Sequence, residues 1–178
     1  KDSPKGFRLL TGALIDAARL AITLGEPATL NDLDLVRLLK DRLTSENANS
    51  SDVSPRMLET AQLFDNVMNG EDVDLIKFPS PKWFEDDGGR YIGTGDAVIT
   101  QDPESGWVNV GSYRMMLQDE QTLSLFLEGP RHARFMIQKY WDQGKPAPIA
   151  VSFGHHPLLQ LVAGIEVPAG VSEYEYAG

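Results

Sequence analysis

Two β-forming runs on either side of a short turn constrain this chain more than any other feature of its sequence. YIGTGDAVITQD (91–102) and WVNVGSYRMMLQ (107–118) are rich in β-branched, aromatic and other apolar residues, and DPESG joins them. Pro103 follows Asp102 and Gly106 closes the turn, which is hairpin chemistry. A hairpin fixes where its side chains go. On the second strand Asn109, Gly111 and Tyr113 share one face, because successive side chains alternate. Arg114 belongs to the other face unless a bulge at Gly111–Ser112 turns it. Glycine inside a strand marks such a bulge, or a place where a ligand meets the backbone.

The rest of the chain adds helices and short strands. TLSLFLE (122–128) reads as a third strand, and Pro130 opens a helix through about Gln143, proline being favoured in the first turn. PIAVSFG (148–154) reads as a buried strand and HPLLQLVAG (156–164) as a short helix with Pro157 in its first turn. Upstream, Leu10, Ala13, Leu14, Ala17, Leu20, Ala21 and Leu24 recur at helical spacing over 9–24, ended by Gly25 and Pro27. A second helix is expected over 31–43, with Leu33, Val36 and Leu39 on one face and Asn31 or Thr29 as cap. SENANSSDVSP (45–55) is polar and reads as a loop, and the prolines of FPSP (78–81) end the apolar patches of 60–80. The fold class is α+β: a helical N-terminal segment and linker over 1–75, then a domain built on an antiparallel sheet over 76–178.

Composition excludes several functions. The chain has 178 residues, no cysteine and a net charge of −10. Without cysteine there are no disulfides, zinc–thiolate sites or thiol nucleophiles. The acidic surface repels nucleic-acid phosphate, and no basic stripe offsets it. No apolar run approaches the roughly 20 residues that span a bilayer, and no signal peptide is visible. The lack of cysteine fits the expectation of a cytoplasmic protein. Nucleotide-binding glycine motifs, HExxH and GxSxG are all missing. An anionic ligand would need a local device: a metal, a few Arg or Lys side chains, or backbone amides.

Candidate chemistry is spread along the chain. In EGPRHARF (128–135), His132 lies in the first turn of a helix, where N–H groups and the dipole favour an anion, with Arg131 and Arg134 beside it. In VPAGVSEYEYAG (167–178), Glu173 follows a Pro-Ala-Gly turn. EDDGGRY (85–91) is acidic but lacks EF-hand spacing and reads as a turn. The adjacent histidines of GHHP (154–157) suit a helix cap or an exposed position better than a metal. Taken singly, each of these segments reads most simply as ordinary surface structure. Asn109, His132 and Glu173 together supply an amide oxygen, an imidazole and a carboxylate, a set suited to Mn²⁺ or Mg²⁺ rather than zinc.

The run FPSPKWFEDDGGRYIGTGDAVITQDPESGWVNVGSYR (78–114) closely resembles the UbiD family of aromatic-acid and ferulic acid decarboxylases. RHARF, VSFGHHPLLQLVAG and VPAGVSEYEYAG resemble it in the same order. The resemblance implies a flavin-reductase-like split β-barrel holding prenylated FMN, with Mn²⁺ (or Mg²⁺) on its phosphate and K⁺ nearby. Carried over by motif, Asn109, His132 and Glu173 become the metal ligands. Thr94, Val110, Gly111, Ser112, Tyr113 and Arg131 become further cofactor contacts, and Arg114 becomes a catalytic residue that orients the substrate carboxylate, so the bulge at Gly111–Ser112 is expected.

The implied reaction is reversible, non-oxidative decarboxylation of an aromatic or α,β-unsaturated carboxylic acid, in which the protein supplies position and proton transfer. A flavin prenyltransferase would supply the cofactor, and a homo-oligomer is expected. Family members extend past both ends of this sequence. Their general-acid glutamate lies beyond the position of Gly178, so the isolated segment is expected to be inactive. Two rival readings are a split-barrel oxidoreductase using ordinary FMN and a non-catalytic flavin-binding or assembly subunit.

Overall fold

The computed structural model describes residues 6, 7, 9–44 and 54–178. Nearly all of the polar stretch read as a loop lies outside them.

β1 (Tyr91–Gln101), β2 (Val108–Leu117), β3 (Leu123–Leu125) and β4 (Ile149–Ser152) form one antiparallel sheet in the order β3-β2-β1-β4, curled into a half-barrel. The expected hairpin is its centre. Gln101 pairs with Val108 and Thr100 with Asn109, and the register runs unbroken to Asp96 opposite Tyr113. Asp102 organises the turn. Its Oδ1 accepts the N–H groups of Glu104 and Ser105 at 2.9 Å, and its Oδ2 meets Lys139 Nζ at 2.6 Å. Lys139 holds the Asp102 carboxyl well below the usual carboxylate range, aided by the N–H donors of Ser105 and Glu104.

The bulge is on the other strand. Register shifts fall between Tyr91 and Gly93 and between Gly93 and Asp96, all on β1. β2 is regular through Gly111–Ser112, so the expectation of a bulge there is corrected. The cause is steric: a Cβ on Gly93 would lie 1.6 Å from Asp96 Oδ1, so the carboxyl of Asp96 folds back onto the glycine that makes the irregularity.

Helices cover both faces. α3 (His132–Asp142) packs on one, where Thr100 Oγ1 meets Met136 Sδ at 3.3 Å. α4 (Pro157–Ala163) and α5 (Glu173–Ala177) pack on the other, where Ala97, Val110 and Ala163 cluster with Ile99, Leu159 and Tyr174. Alternation along the hairpin produces both surfaces, since neighbouring residues such as Val98 and Ala97 are fully buried on opposite sides.

Several element boundaries differ from expectation. α1 is Ala17–Thr23, not 9–24, because Asp16 caps it by accepting the Arg19 N–H at 2.8 Å, and Gly12 upstream takes a positive φ of 63°. α2 (Asp32–Thr44) is capped by Asn31, but Leu35 is its buried residue while Leu33 and Val36 are exposed. Arg42 ties α2 to the end of α1 through Leu24 O and Glu26. The third strand shrinks to 123–125, and α3 begins at His132 with Arg131 as its cap residue, leaving Pro130 outside. β4 is an edge strand whose Ile149 and Ala150 are exposed, rather than a buried one. Residues 62–77 form short 3₁₀ turns, tied to the turn after β2 by Leu75 N–H to Glu120 O at 2.8 Å.

Candidate functional site

Sequence-distant residues converge on the outer edge of β2. β3 pairs only with Met115–Leu117, so the upstream part of that edge has no partner strand. Glu173 fills the gap. Its Oε2 accepts the N–H of Val110 at 2.6 Å, and the residue is only 4% exposed. After the Pro-Ala-Gly turn Ser172 caps a short helix, and Glu173 opens it, pressed against the sheet. Burial pushes the Glu173 carboxyl above its ordinary range, while the Val110 N–H, its own backbone N–H and His132 pull it down.

Asn109, next to Val110, is equally buried, and its Nδ2 donates to Thr100 Oγ1 at 3.3 Å. That bond leaves the amide oxygen free of any side-chain donor among the described residues. His132 occupies the first turn of α3 and packs edge-on against Trp107, ring centroids 4.9 Å apart. Trp107 in turn donates from Nε1 to Val171 O at 3.0 Å, pinning the segment that leads into Glu173. Glu173 thus sits against the backbone beside Asn109 and within electrostatic reach of His132, the three side chains being carried by three different elements. No group of three His, Cys, Asp or Glu side chains forms a metal cage among the described residues, so a cation here would need the amide as its third ligand.

Above this point Tyr113 folds over Gly111, where a Cβ would sit 2.3 Å from Tyr113 Cε2. Burial raises the Tyr113 hydroxyl pKa, Arg131 opposes that shift, and Glu173 adds to it. Arg131 and Glu173 are therefore within electrostatic reach of the same ring.

The UbiD description "3-octaprenyl-4-hydroxybenzoate carboxy-lyase Rift-related domain" matches residues 56–178. The chain belongs to the UbiD family. It is 35% identical to the pyrrole-2-carboxylic acid decarboxylase of Pseudomonas aeruginosa, over 100% of this chain and 36% of that protein. It is 34% identical to a phenolic acid decarboxylase of a Streptomyces species, over 71% of this chain and 27% of that protein. Among solved structures, the closed form of the vanillic acid decarboxylase of Sedimentibacter hydroxybenzoicus superposes with a TM-score of 0.86 at 27% identity, covering 98% of this chain and 37% of that one. A dimeric evolved form of HmfF from Pelotomaculum thermopropionicum, a UbiD-class enzyme in complex with prFMN, gives 0.71 at 26% identity, over 91% and 36%. The chain spans about a third of the length of the curated relatives it matches.

Not every residue that the UbiD resemblance singled out joins the cluster. Arg114 lies on the face of β2 opposite Asn109, Gly111 and Tyr113, exposed, with its guanidinium 4.3 Å over the ring of Phe126, which follows β3. Thr94 is exposed within the irregular start of β1. His155 and His156 take local roles: His155 contacts Ser152 O and His156 caps α4. EDDGGRY is a turn in which Asp87 accepts the N–H groups of Trp83 and Phe84.

Sequence reasoning missed Thr100, Trp107 and Asp96. Thr100 was within reach, because counting back from the turn places it opposite Asn109. Trp107 reads as a strand residue until the chain from Val167 onward returns over it. Asp96 carries no sequence signal at all.

Proposed function

We propose that this chain is the cofactor-binding segment of a UbiD decarboxylase acting on an aromatic or α,β-unsaturated carboxylic acid. The observation that carries the reading is buried Glu173, bonded to the backbone beside buried Asn109 and within electrostatic reach of His132. A UbiD-class neighbour with prFMN bound, and relatives named as decarboxylases of pyrrole-2-carboxylic, phenolic and ferulic acids, support it.

In this reading residues 76–178 form the flavin-reductase-like split-barrel domain and 1–75 a helical segment and linker. Prenylated FMN supplies the electron sink for carbon dioxide loss. Asn109, His132 and Glu173 would hold Mn²⁺ or Mg²⁺, with K⁺ as a second cation, and the charge of the ions would offset that of an anionic cofactor. The fit is physical. Glu173 and Asn109 are preorganised by Val110 and Thr100. The backbone of Val110–Tyr113, with Thr94 and Arg131, lines the flavin. Arg114 orients the substrate carboxylate through its guanidinium fork, for which it must leave the Phe126 ring. A flavin prenyltransferase supplies the cofactor to a cytoplasmic homo-oligomer.

The test uses the full-length protein co-expressed with a flavin prenyltransferase. The wild type should carry flavin and manganese and release carbon dioxide from aromatic or unsaturated acids. Asn109→Ala, His132→Ala and Glu173→Ala should each lose metal and flavin while remaining folded. A folded wild type that binds neither would overturn the assignment.

A further inference from the structure

Asp96 is a buried carboxyl without a partner among the described residues. It is 4% exposed, and its Oδ2 is enclosed without a hydrogen-bond partner. Such a group is costly, and buried polar atoms are nearly always satisfied. The chain nonetheless builds a seat for it: the irregularity in β1 and the bare Cα of Gly93 exist where the carboxyl folds back. Among the described residues no opposite charge offsets the burial. Tyr113 faces it from β2, and the side chain that approaches the adjoining Gly95 from α4 is the neutral Gln160. Burial alone pushes its pKa to about 7.

Its position links two parts of the proposed flavin site. Asp96 is two residues from Thr94 on β1 and is the direct cross-strand neighbour of Tyr113. It lies on the face that carries Asn109 and Gly111. Asn109 and Tyr113 are four residues apart along β2, roughly 13 Å at the rise of an antiparallel strand. A flavin whose phosphate lies at Asn109 would bring its ring end towards Tyr113 and Asp96.

We propose that Asp96 is a flavin-contacting residue whose carboxyl hydrogen-bonds the polar pyrimidine edge of the isoalloxazine ring. A protonated carboxyl offers one donor and one acceptor. The imide edge of a flavin offers an N–H beside carbonyl oxygens, which is the complementary pattern. The inference rests on the proposed flavin site and adds a contact that neither the triad nor Arg114 supplies.

FMN is the probe, since a UbiD-class relative is known in complex with it. In the full-length protein with Mn²⁺ present, FMN affinity is measured by quenching of flavin fluorescence, and the melting temperature of the flavin-free protein is measured alongside. Asp96→Ala should weaken FMN at least about tenfold, the range of one buried hydrogen bond, while the flavin-free melting temperature holds or rises because an unsatisfied group is gone. Asp96→Asn, which keeps a donor and an acceptor, should stay within about threefold of wild type on the same scale. If Asp96→Ala binds FMN like wild type, or if its melting temperature falls in step with affinity, the contact is refuted and Asp96 is structural. If the folded wild type binds no FMN, the proposed function itself fails.

Discussion

The Glu173 carboxylate accepts a hydrogen bond from the backbone N–H of Val110 at 2.6 Å, joining positions 63 residues apart. The contact does structural and chemical work at once. It satisfies a buried donor on a strand edge that β3 does not reach, and it sets a carboxylate beside Asn109. Glu173→Ala should therefore destabilise the protein by about 1–3 kcal/mol, the usual cost of an orphaned buried donor. Glu173→Gln keeps an acceptor oxygen and should cost less, while still weakening any divalent cation through loss of charge. Urea unfolding of the metal-free protein separates the two variants.

Asp96 predicts a pH dependence of the flavin-free protein. Its carboxyl is raised from 3.8 to about 7 in the fold, so between those values the folded state holds a proton that the unfolded state has released. Stability contributed at this position is greatest below about pH 4 and declines as pH rises towards 7. The decline should amount to a few kcal/mol, on the order of 1.4 per pKa unit. In Asp96→Asn this component should vanish. Chemical denaturation from pH 4 to 8, read as the difference between wild type and variant, checks it; equal slopes would contradict it.

Gly111 predicts a steric effect. An alanine Cβ would meet Tyr113 Cε2 at 2.3 Å, so Gly111→Ala must displace the ring or the strand. A loss of about 1–3 kcal/mol is expected from overpacking. Trimming the ring in Gly111→Ala/Tyr113→Ala should recover part of it. A single variant as stable as wild type would show that the ring moves freely.

Asp102 predicts the acid limb. Its folded pKa is depressed, chiefly by Lys139, so its stabilisation is complete above the ordinary carboxylate value of 3.8 and is lost as pH falls below it. Lys139 is 39% exposed, so solvent screening weakens the ion pair, and the two backbone N–H bonds carry most of the stabilisation. Asp102→Ala should cost about 2 kcal/mol in total and flatten the acid side of the stability curve. An unchanged acid midpoint would count against this.

The sequence by itself determined the local features. The hairpin register follows from strand periodicity and the Asp102–Gly106 turn, the α4 start from Pro157, and the UbiD membership from long motifs read in order. These depend on neighbours along the chain, and so they are legible there. Helix 9–24 failed because apolar spacing says nothing of where a cap such as Asp16 wins, and the buried face of α2 turned on a partner helix that periodicity does not name. The bulge was legible as a glycine in a strand, but not as Gly93 rather than Gly111, because the choice depends on which side chain folds back across the strand. Only the tertiary structure decided that Glu173 would be buried, that Trp107 would brace His132, and that Asp96 would be left without a partner. Burial and electrostatic environment are sums over groups brought together by folding, and residues far apart in sequence share them only once the sheet has curled and its helices have closed over it.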